Sequence, residues 1–493
     1  MAIANLNLPY DETSATSIEA YSKKAMNRSF RDIIMHAPNL DKDLESLIAY
    51  YDNPRGKGGL GNLIEKYFFF YEPNSDSAAD FPLAGVELKV TPYQKLKNKN
   101  VYRSGERLVI SMIPYSLPLS LNIEDSHIME KIDLILLMLY MREEEKKRTE
   151  YLITHSQLFS ITSKLLEEDF KIIKEDYKKI VTKIQNGEAH LLSESDTNYL
   201  AASTKGSTAK KSLQPQYYNP DIKAKRRAFS FKQGFMTYII NNYIFKGKET
   251  YESIIHEPEE LTHLTFDEIV INKLNAYIGY TESQLINTFN IKSKAKNILS
   301  TLAFRMLGIT SNNAEEFVKS NTVVKTIRVE QNGSIREHMS FPTFKIKELL
   351  EEEWEDSWFY DYFSETKFLF IVYKHDGEEY VFSGSKFWNF PIELLEGAAK
   401  EDWIKVRDSY KNISFYPKKN QVSNSLPKPN DVNIAFSKLH IGETAHIIDG
   451  IGYGKGLENY ERYTDTLPNG DRMPIQSFWL KKKFIAEQIK EYL

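Results

Sequence analysis

Two acids and a lysine lie close together in DFPLAGVELK, residues 80–89. Asp80 opens the stretch, and Glu87 precedes Lys89 by two positions. Residues i and i+2 of a strand share a face, so Glu87 and Lys89 project together. Pro82 and Gly85 lie between and let the chain turn, which brings Asp80 alongside. Paired carboxylates with a lysine are what phosphodiester hydrolysis needs. The acids hold Mg2+, which polarises the phosphate and acidifies a water, and the ammonium orients that water and balances charge on phosphorus. The spacing alone also suits a half-exposed strand with a surface ion pair worth about 0–1 kcal/mol. Two neighbours tip the reading towards chemistry. Glu65 lies upstream on an amphipathic segment, and Lys131 heads the next apolar run, KIDLILLMLY (131–140).

The elements that must position these groups follow from periodicity. Leu60, Leu63, Ile64, Tyr67 and Phe68 recur at helical spacing behind the glycine-rich RGKGGLGN, which predicts a helix over 60–70. AGVELKVTP alternates and reads as a strand over 84–92 ended by Pro92. RLVISMIP (107–114) reads as another strand, and 131–140 as a buried central one. Apolar positions from Phe170 to Ile184 predict a helix over 167–185, stopped by Asn186-Gly187.

Composition bounds what surrounds them. A chain of 493 residues exceeds one core and implies two to four domains. With 41% hydrophobic residues, wholesale disorder is excluded. The absence of cysteine excludes disulfides, thiol catalysis and cysteine-bound zinc, and it suits a reducing cytoplasm. The N-terminus carries no signal-peptide pattern, and no apolar run is long enough to span a membrane, so a soluble, cytoplasmic protein without a membrane partner is expected. His127 reads as structural, since no paired-histidine zinc motif accompanies it. Net charge is only −4, so any nucleic-acid surface must be local. One stretch qualifies. Between Ser203 and Gly234, eight basic residues face a single acid, Asp221, and aromatics are interleaved among them.

The order of elements then starts again. VVKT (323–326) answers VELKVT, and ETKFLFIVY (365–373) answers EKIDLILLMLY. KEDWIKVRDSY (400–410) answers EEDFKIIKEDY, and QSFWLKKKFIAEQI (476–489) answers RAFSFKQGFMTYII. Lys89 and Lys325 share their offset with Lys131 and Lys367. A tandem duplication is expected: a first copy over 1–245, a linker at 246–260, and a second copy over 261–493.

KGGLGNLIE, DFPLAGVELK, SHIMEK, EEDFKIIKEDY, NYLAASTKG and RAFSFKQGF occur in the order of the MutH family, which the chain resembles over most of 15–245. That family comprises the GATC-specific mismatch-repair nicking endonuclease and related GATC-cutting type II restriction endonucleases. The resemblance implies an α/β, restriction-endonuclease-like fold: a mixed sheet flanked by helices, here duplicated in tandem. It places the Mg2+-binding acids on Asp80 and Glu87, the catalytic lysines on Lys89 and Lys131, and a further active-site acid on Glu65. The repair protein's Arg-Pro-Lys reading loop falls on Ser203 to Lys205, where Lys205 keeps the lysine and Ser203 replaces the arginine. A DNA-contacting tyrosine falls on Ser230, with Trp479 at its counterpart in the second copy. Lys205, Lys210, Lys211, Arg226, Arg227, Ser230 and Lys232 are therefore expected at the DNA, joined by Trp479, Lys481, Lys482 and Lys483 of the second copy.

In the second copy Val323 replaces Glu87, and the Asp80 position maps to Glu316 by the same offset. A lone carboxylate is a poor Mg2+ site, so this copy is expected to be inactive and to serve as a DNA-binding, allosteric domain. The implied function is a Mg2+-dependent type II restriction endonuclease acting on double-stranded DNA at GATC, with two chains meeting on the palindrome or two successive nicks. The alternatives are a repair-type nicking enzyme and a DNA-binding regulator without catalysis.

Overall fold

The structure, a computed structural model, describes residues 8–38, 43–53, 59–73, 78–96, 101–204, 212–247, 251–292, 297–418, 421–440 and 442–493. Its residues group into two units. Unit 1 takes Met1–Ile269 and Asn313–Thr322, and unit 2 takes Val270–Asn312 and Val323–Leu493. The chain thus changes unit at 269–270 and returns briefly to unit 1. The reason is polar. On the returning helix Glu315–Ser320, the buried Glu316 carboxylate accepts from the Ile254 and Ile255 N–H groups and the Ser253 hydroxyl. On the same helix Lys319 pairs with buried Asp169 at 2.6 Å. Glu316 is therefore a backbone anchor of unit 1, not a relic of the Asp80 position.

Unit 1 is built on two sheets. The first orders β2–β1–β4–β5 from β1 (Glu87–Lys95), β2 (Tyr102–Ser104), β4 (Ile135–Met141) and β5 (Ile153–Phe159). The second orders β3–β7–β6 from β3 (Leu108–Met112), β6 (Leu200–Thr204) and β7 (Arg227–Phe231). β1 runs parallel to β4, with Glu87 opposite Ile135, while β4 runs antiparallel to β5, so the sheet is mixed. Helices α1 (Leu60–Tyr67), α2 (His127–Ile132), α3 (Glu167–Gln185) and α4 (Gln233–Ile239) flank the sheets. One core cluster gathers Leu63 and Ile64 of α1 with Leu88, Leu136 and Met138.

Two expectations shift. Pro92 lies inside β1 rather than ending it. Its carbonyl accepts from Gly105 N–H on the β2 side, where the β2 ladder has yet to begin, so its missing N–H removes no strand bond. Lys131 closes α2 instead of opening the strand, which starts at Ile135.

Unit 2 repeats the scheme. β8 (Thr322–Val329), β10 (Lys367–His375) and β11 (Tyr380–Trp388) form a sheet ordered β8–β10–β11. β9 (Met339–Thr343), β12 (Ala435–Leu439) and β13 (Gln476–Leu480) form another, ordered β9–β13–β12. Helices α5 (Ile298–Met306) and α6 (Lys400–Lys411) take the places of α1 and α3.

The repetition extends to single atoms. The Asp176 carboxylate of α3 accepts the N–H groups of Asn198, Tyr199 and Leu200 at the head of β6. Asp402 of α6 does the same for Asn433, Ile434 and Ala435 at the head of β12. The helices therefore match as KEDY (174–177) to KEDW (400–403), two turns away from the expected alignment. Lys367 opens β10 whereas Lys131 ends a helix, so those two lysines do not correspond and their shared offset is incidental. Among the described residues no helix is long and apolar enough to cross a membrane.

Candidate active site and nucleic-acid interface

A turn aligns the acids. Phe81 and Val86 exchange both backbone hydrogen bonds, at 2.9 and 3.2 Å, around a loop that needs Gly85 at φ +64°. Phe81 is fixed by edge contacts with the rings of Tyr10, Phe69 and Tyr71. The Asp80 carboxylate turns back to accept from Leu88 N–H at 2.9 Å, which sets it beside the head of β1.

Glu87 is 2% exposed and held by two ammonium groups. Lys89 Nζ stands 2.7 Å from its Oε1, and Lys131 Nζ stands 3.2 Å from both oxygens. The helix α2 carries Lys131 in from outside the sheet, and only 7% of that residue is exposed. Both lysines favour Glu87, which leaves the other acids short of positive charge. Burial and the neighbouring Glu87 push Asp80 up to about 6, and burial and Asp80 push Glu65 up to about 7. All five residues named from the sequence thus come together.

Sequence reasoning missed Tyr71. Its hydroxyl is buried with no hydrogen-bond partner among the described residues, and the nearby Asp80, Glu65 and Glu87 add to burial in raising its pKa. The positive φ of Phe70 (61°) swings it into the cluster, and nothing in the local pattern signals that kink.

The donor set fits a hard divalent cation. Among the described residues no three His, Cys, Asp or Glu side chains stand ready as a metal group. Mg2+ needs only one or two carboxylates beside waters and substrate oxygens. Asp80 and Glu87 are the two carboxylates available for this, the raised Asp80 and Glu65 mark a local deficit of positive charge, and the orphaned Tyr71 hydroxyl is free to meet a ligand water.

The expected DNA contacts divide. Lys205, Lys210 and Lys211 lie outside the described residues. Arg226 is exposed. Arg227 is buried and donates to the Ala202 carbonyl, and Lys232 is buried and donates to the Thr197 and Ser320 carbonyls. Ser230 is fully buried. Lys481 repeats Lys232 by donating to the Val432 carbonyl. Arg227, Lys232 and Lys481 hold backbone, because a long cation turned inward can satisfy carbonyls at a strand end, and in this arrangement they present nothing to DNA. Lys482 and Lys483 are exposed.

Trp479 lies opposite Phe436 as Ser230 lies opposite Ala201, so the Ser230–Trp479 correspondence rests on strand register. The same register puts Lys438 where Ser203 stands. Lys438 Nζ lies 4.9 Å from the Trp479 ring, and Trp479 Nε1–H donates to the Lys438 carbonyl. Lys438 was also missed. The signal was there, since DTNYLAAS (196–203) and DVNIAFSK (431–438) share their start. His127 bonds the Ser111 hydroxyl at 2.7 Å, as a structural histidine does.

The family described as DNA mismatch repair enzyme MutH matches residues 69–176, which carry Asp80, Glu87, Lys89 and Lys131. The chain is 33% identical over 472 residues to a protein of Staphylococcus aureus described as Type II restriction enzyme Sau3AI. That match takes in 89% of this chain and 94% of the relative.

Proposed function

Because the chain belongs to the MutH-related type II restriction endonucleases, we propose that it cuts double-stranded DNA at GATC with Mg2+, using the cluster of unit 1. The observation that carries this reading is the buried Glu87 carboxylate clamped by Lys89 and Lys131, with Asp80 beside it. Asp80 and Glu87 would hold the ion, which when bound polarises the scissile phosphate and lowers the pKa of a water.

The chain's own groups do the rest. Lys89 is the more exposed of the two lysines and positions the attacking water against the phosphate. Lys131, fixed from below by α2, neutralises charge that develops on the phosphate oxygens. Glu65 sits near neutrality through burial, which suits it to accept a proton from that water. Unit 2 has Val323 in place of Glu87, and Glu316, at the Asp80 offset, is taken up by the Ile254 and Ile255 N–H groups. It serves as a DNA-binding effector through Trp479, Lys438, Lys482 and Lys483. One live site per chain cuts one strand, so two chains on the palindrome, or two nicks, complete the break. The working compartment is the cytoplasm, where such DNA is met.

The test is incubation with Mg2+ and two plasmids, one with GATC sites and one with all of them removed. Discrete fragments from the first alone, erased by Asp80→Ala, are expected. Cutting of both plasmids refutes the site. Nicked circles alone would turn the reading to the repair-type enzyme. Binding without any cutting, indifferent to Asp80→Ala, would leave a regulator.

A further inference from the structure

Unit 2 keeps a cavity where unit 1 keeps its carboxylates. The cavity measures about 310 Å3 and lies between β8, the segment 335–340 and the start of α5. Its lining includes the cations Lys325, Arg328 and Arg336, against one acid, Glu337, which is exposed. Lys325 stands on β8 as Lys89 stands on β1, but its setting is inverted. Lys89 meets a carboxylate at 2.7 Å. Lys325 Nζ donates to the Ser340 carbonyl at 2.7 Å and lies 4.6 Å from the Phe341 ring. Burial with no carboxylate alongside pushes Lys325 down to about 8. Arg328 Nε is buried with no hydrogen-bond partner among the described residues, while its guanidinium lies over the Tyr380 ring. Arg336 reaches the same Tyr380 hydroxyl from the exposed side.

We propose that this cavity binds a backbone phosphate of duplex DNA directly, without a metal ion. The proposal rests on reading the chain as a DNA enzyme and adds a ligand to its inactive unit. The logic is one of charge. In unit 1 three acids oppose two lysines, so a phosphate can enter only with a divalent cation. Replacing Glu87 by Val323 removes the acid that would capture the lysine. What remains is a desolvated ammonium and the unpartnered Arg328 Nε–H, with Arg336 on the rim beside Glu330 and Glu337. Charge-assisted hydrogen bonds from such groups to phosphate oxygens are among the strong ones. A cavity of 310 Å3 holds a phosphate group with several waters, each taking about 30 Å3. With no carboxylate pair to bind Mg2+, the phosphodiester held there stays intact.

The test uses the full chain carrying Asp80→Ala, with EDTA present, and fluorescence anisotropy of a labelled GATC duplex across a salt series. Lys325→Met should weaken binding about fivefold and lower the slope of log affinity against log salt by about one phosphate contact. Arg336→Gln, on the exposed rim, should move both in the same direction. It also decides the matter if Lys325→Met melts unit 2. Affinity and slope unchanged in the folded variants overturn the proposal. Inorganic phosphate separates the two sources of the chemistry. Competition with duplex that disappears in Lys325→Met supports the site, whereas Lys325-dependent phosphate binding that persists on the duplex complex overturns it in favour of a free anion. Failure of the nuclease reading is read elsewhere, as absence of plasmid cutting by the unsubstituted chain with Mg2+.

Discussion

Lys131→Met tests the site most sharply, because it should move two measurements in opposite directions. The ammonium sits 3.2 Å from both Glu87 oxygens, in a spot where the lysine is 7% exposed. At an effective dielectric of about 20 the attraction is roughly 5 kcal/mol, and the desolvation of a buried ammonium offsets several kcal/mol of it. Lys89 remains at 2.7 Å, so Glu87 keeps a partner. The net loss of stability should therefore stay near 1–3 kcal/mol, and the near-isosteric methionine fills the space. The chemical step loses a positive group aimed at developing charge, a loss of about 100- to 1000-fold in rate by analogy with deleted oxyanion donors. Metal binding should improve, because a positive charge that competes for both Glu87 oxygens has gone. Single-turnover cleavage of a GATC duplex over a Mg2+ titration reads both quantities. The expected result is a much lower plateau reached at lower Mg2+, with Lys131→Arg recovering part of the rate. A variant within threefold of the parent rate would refute the role. A rate and an apparent Mg2+ affinity that fall together would show that Lys131 only supports the fold.

Three further outcomes follow from single contacts. Tyr71→Phe removes a buried, unpartnered hydroxyl, so the melting temperature should hold or rise, while cleavage falls several-fold if that hydroxyl meets its partner only when ligand is bound; an unchanged rate rules that out. Burial lowers the His446 pKa from 6.5 to about 4, so the folded state resists protonation. Stability is therefore complete above pH 6.5 and lost as pH falls towards 4, by roughly 2 kcal/mol after allowing for partial solvent access; His446→Gln should flatten the pH dependence of unfolding across that window. Asp402→Asn leaves at least one of three strand-head N–H groups facing an amide NH2, at about 3 kcal/mol. Hydrogen exchange should then show lost protection over 433–439 with residues 198–204 unaffected, and equal loss in both segments would contradict it.

The acids of the candidate site were legible because strand periodicity is short-ranged. Glu87 and Lys89 share a face in any strand, and the Phe81–Val86 turn needs only Gly85 to fold Asp80 back. Lys131 was legible as a neighbour but not as a helical residue. The apolar run that follows it begins a strand, and Ile128 and Ile132 on α2 look like its continuation. The basic stretch misled for a different reason. Counting charge cannot tell a lysine facing water from one tied to carbonyls at a strand end, and Arg227, Lys232 and Lys481 are of the second kind. The duplication was visible, but its alignment was not. Helical repeats tolerate a slip of two turns, since seven residues return nearly the same face. Only the carboxylates of Asp176 and Asp402, each gathering three N–H groups, fix it.

That alignment explains how one scaffold supports two kinds of site. Both units keep the aspartate that anchors the head of β6 or β12, and both keep a lysine on β1 or β8. They differ where the substitution matters electrostatically. Glu87 against Val323 decides whether that lysine is consumed by a carboxylate or left seeking an anion. Ser203 and Ser230 against Lys438 and Trp479 decide whether the neighbouring sheet is small and covered or aromatic and cationic. Each pair of changes points the same way. On the proposed reading, unit 1, poor in positive charge at its centre, depends on a cation to approach DNA. Unit 2, with Lys325, Lys438 and Trp479, would need none. Removing the metal should therefore separate the units by function: cleavage stops, while the DNA affinity contributed by unit 2 remains.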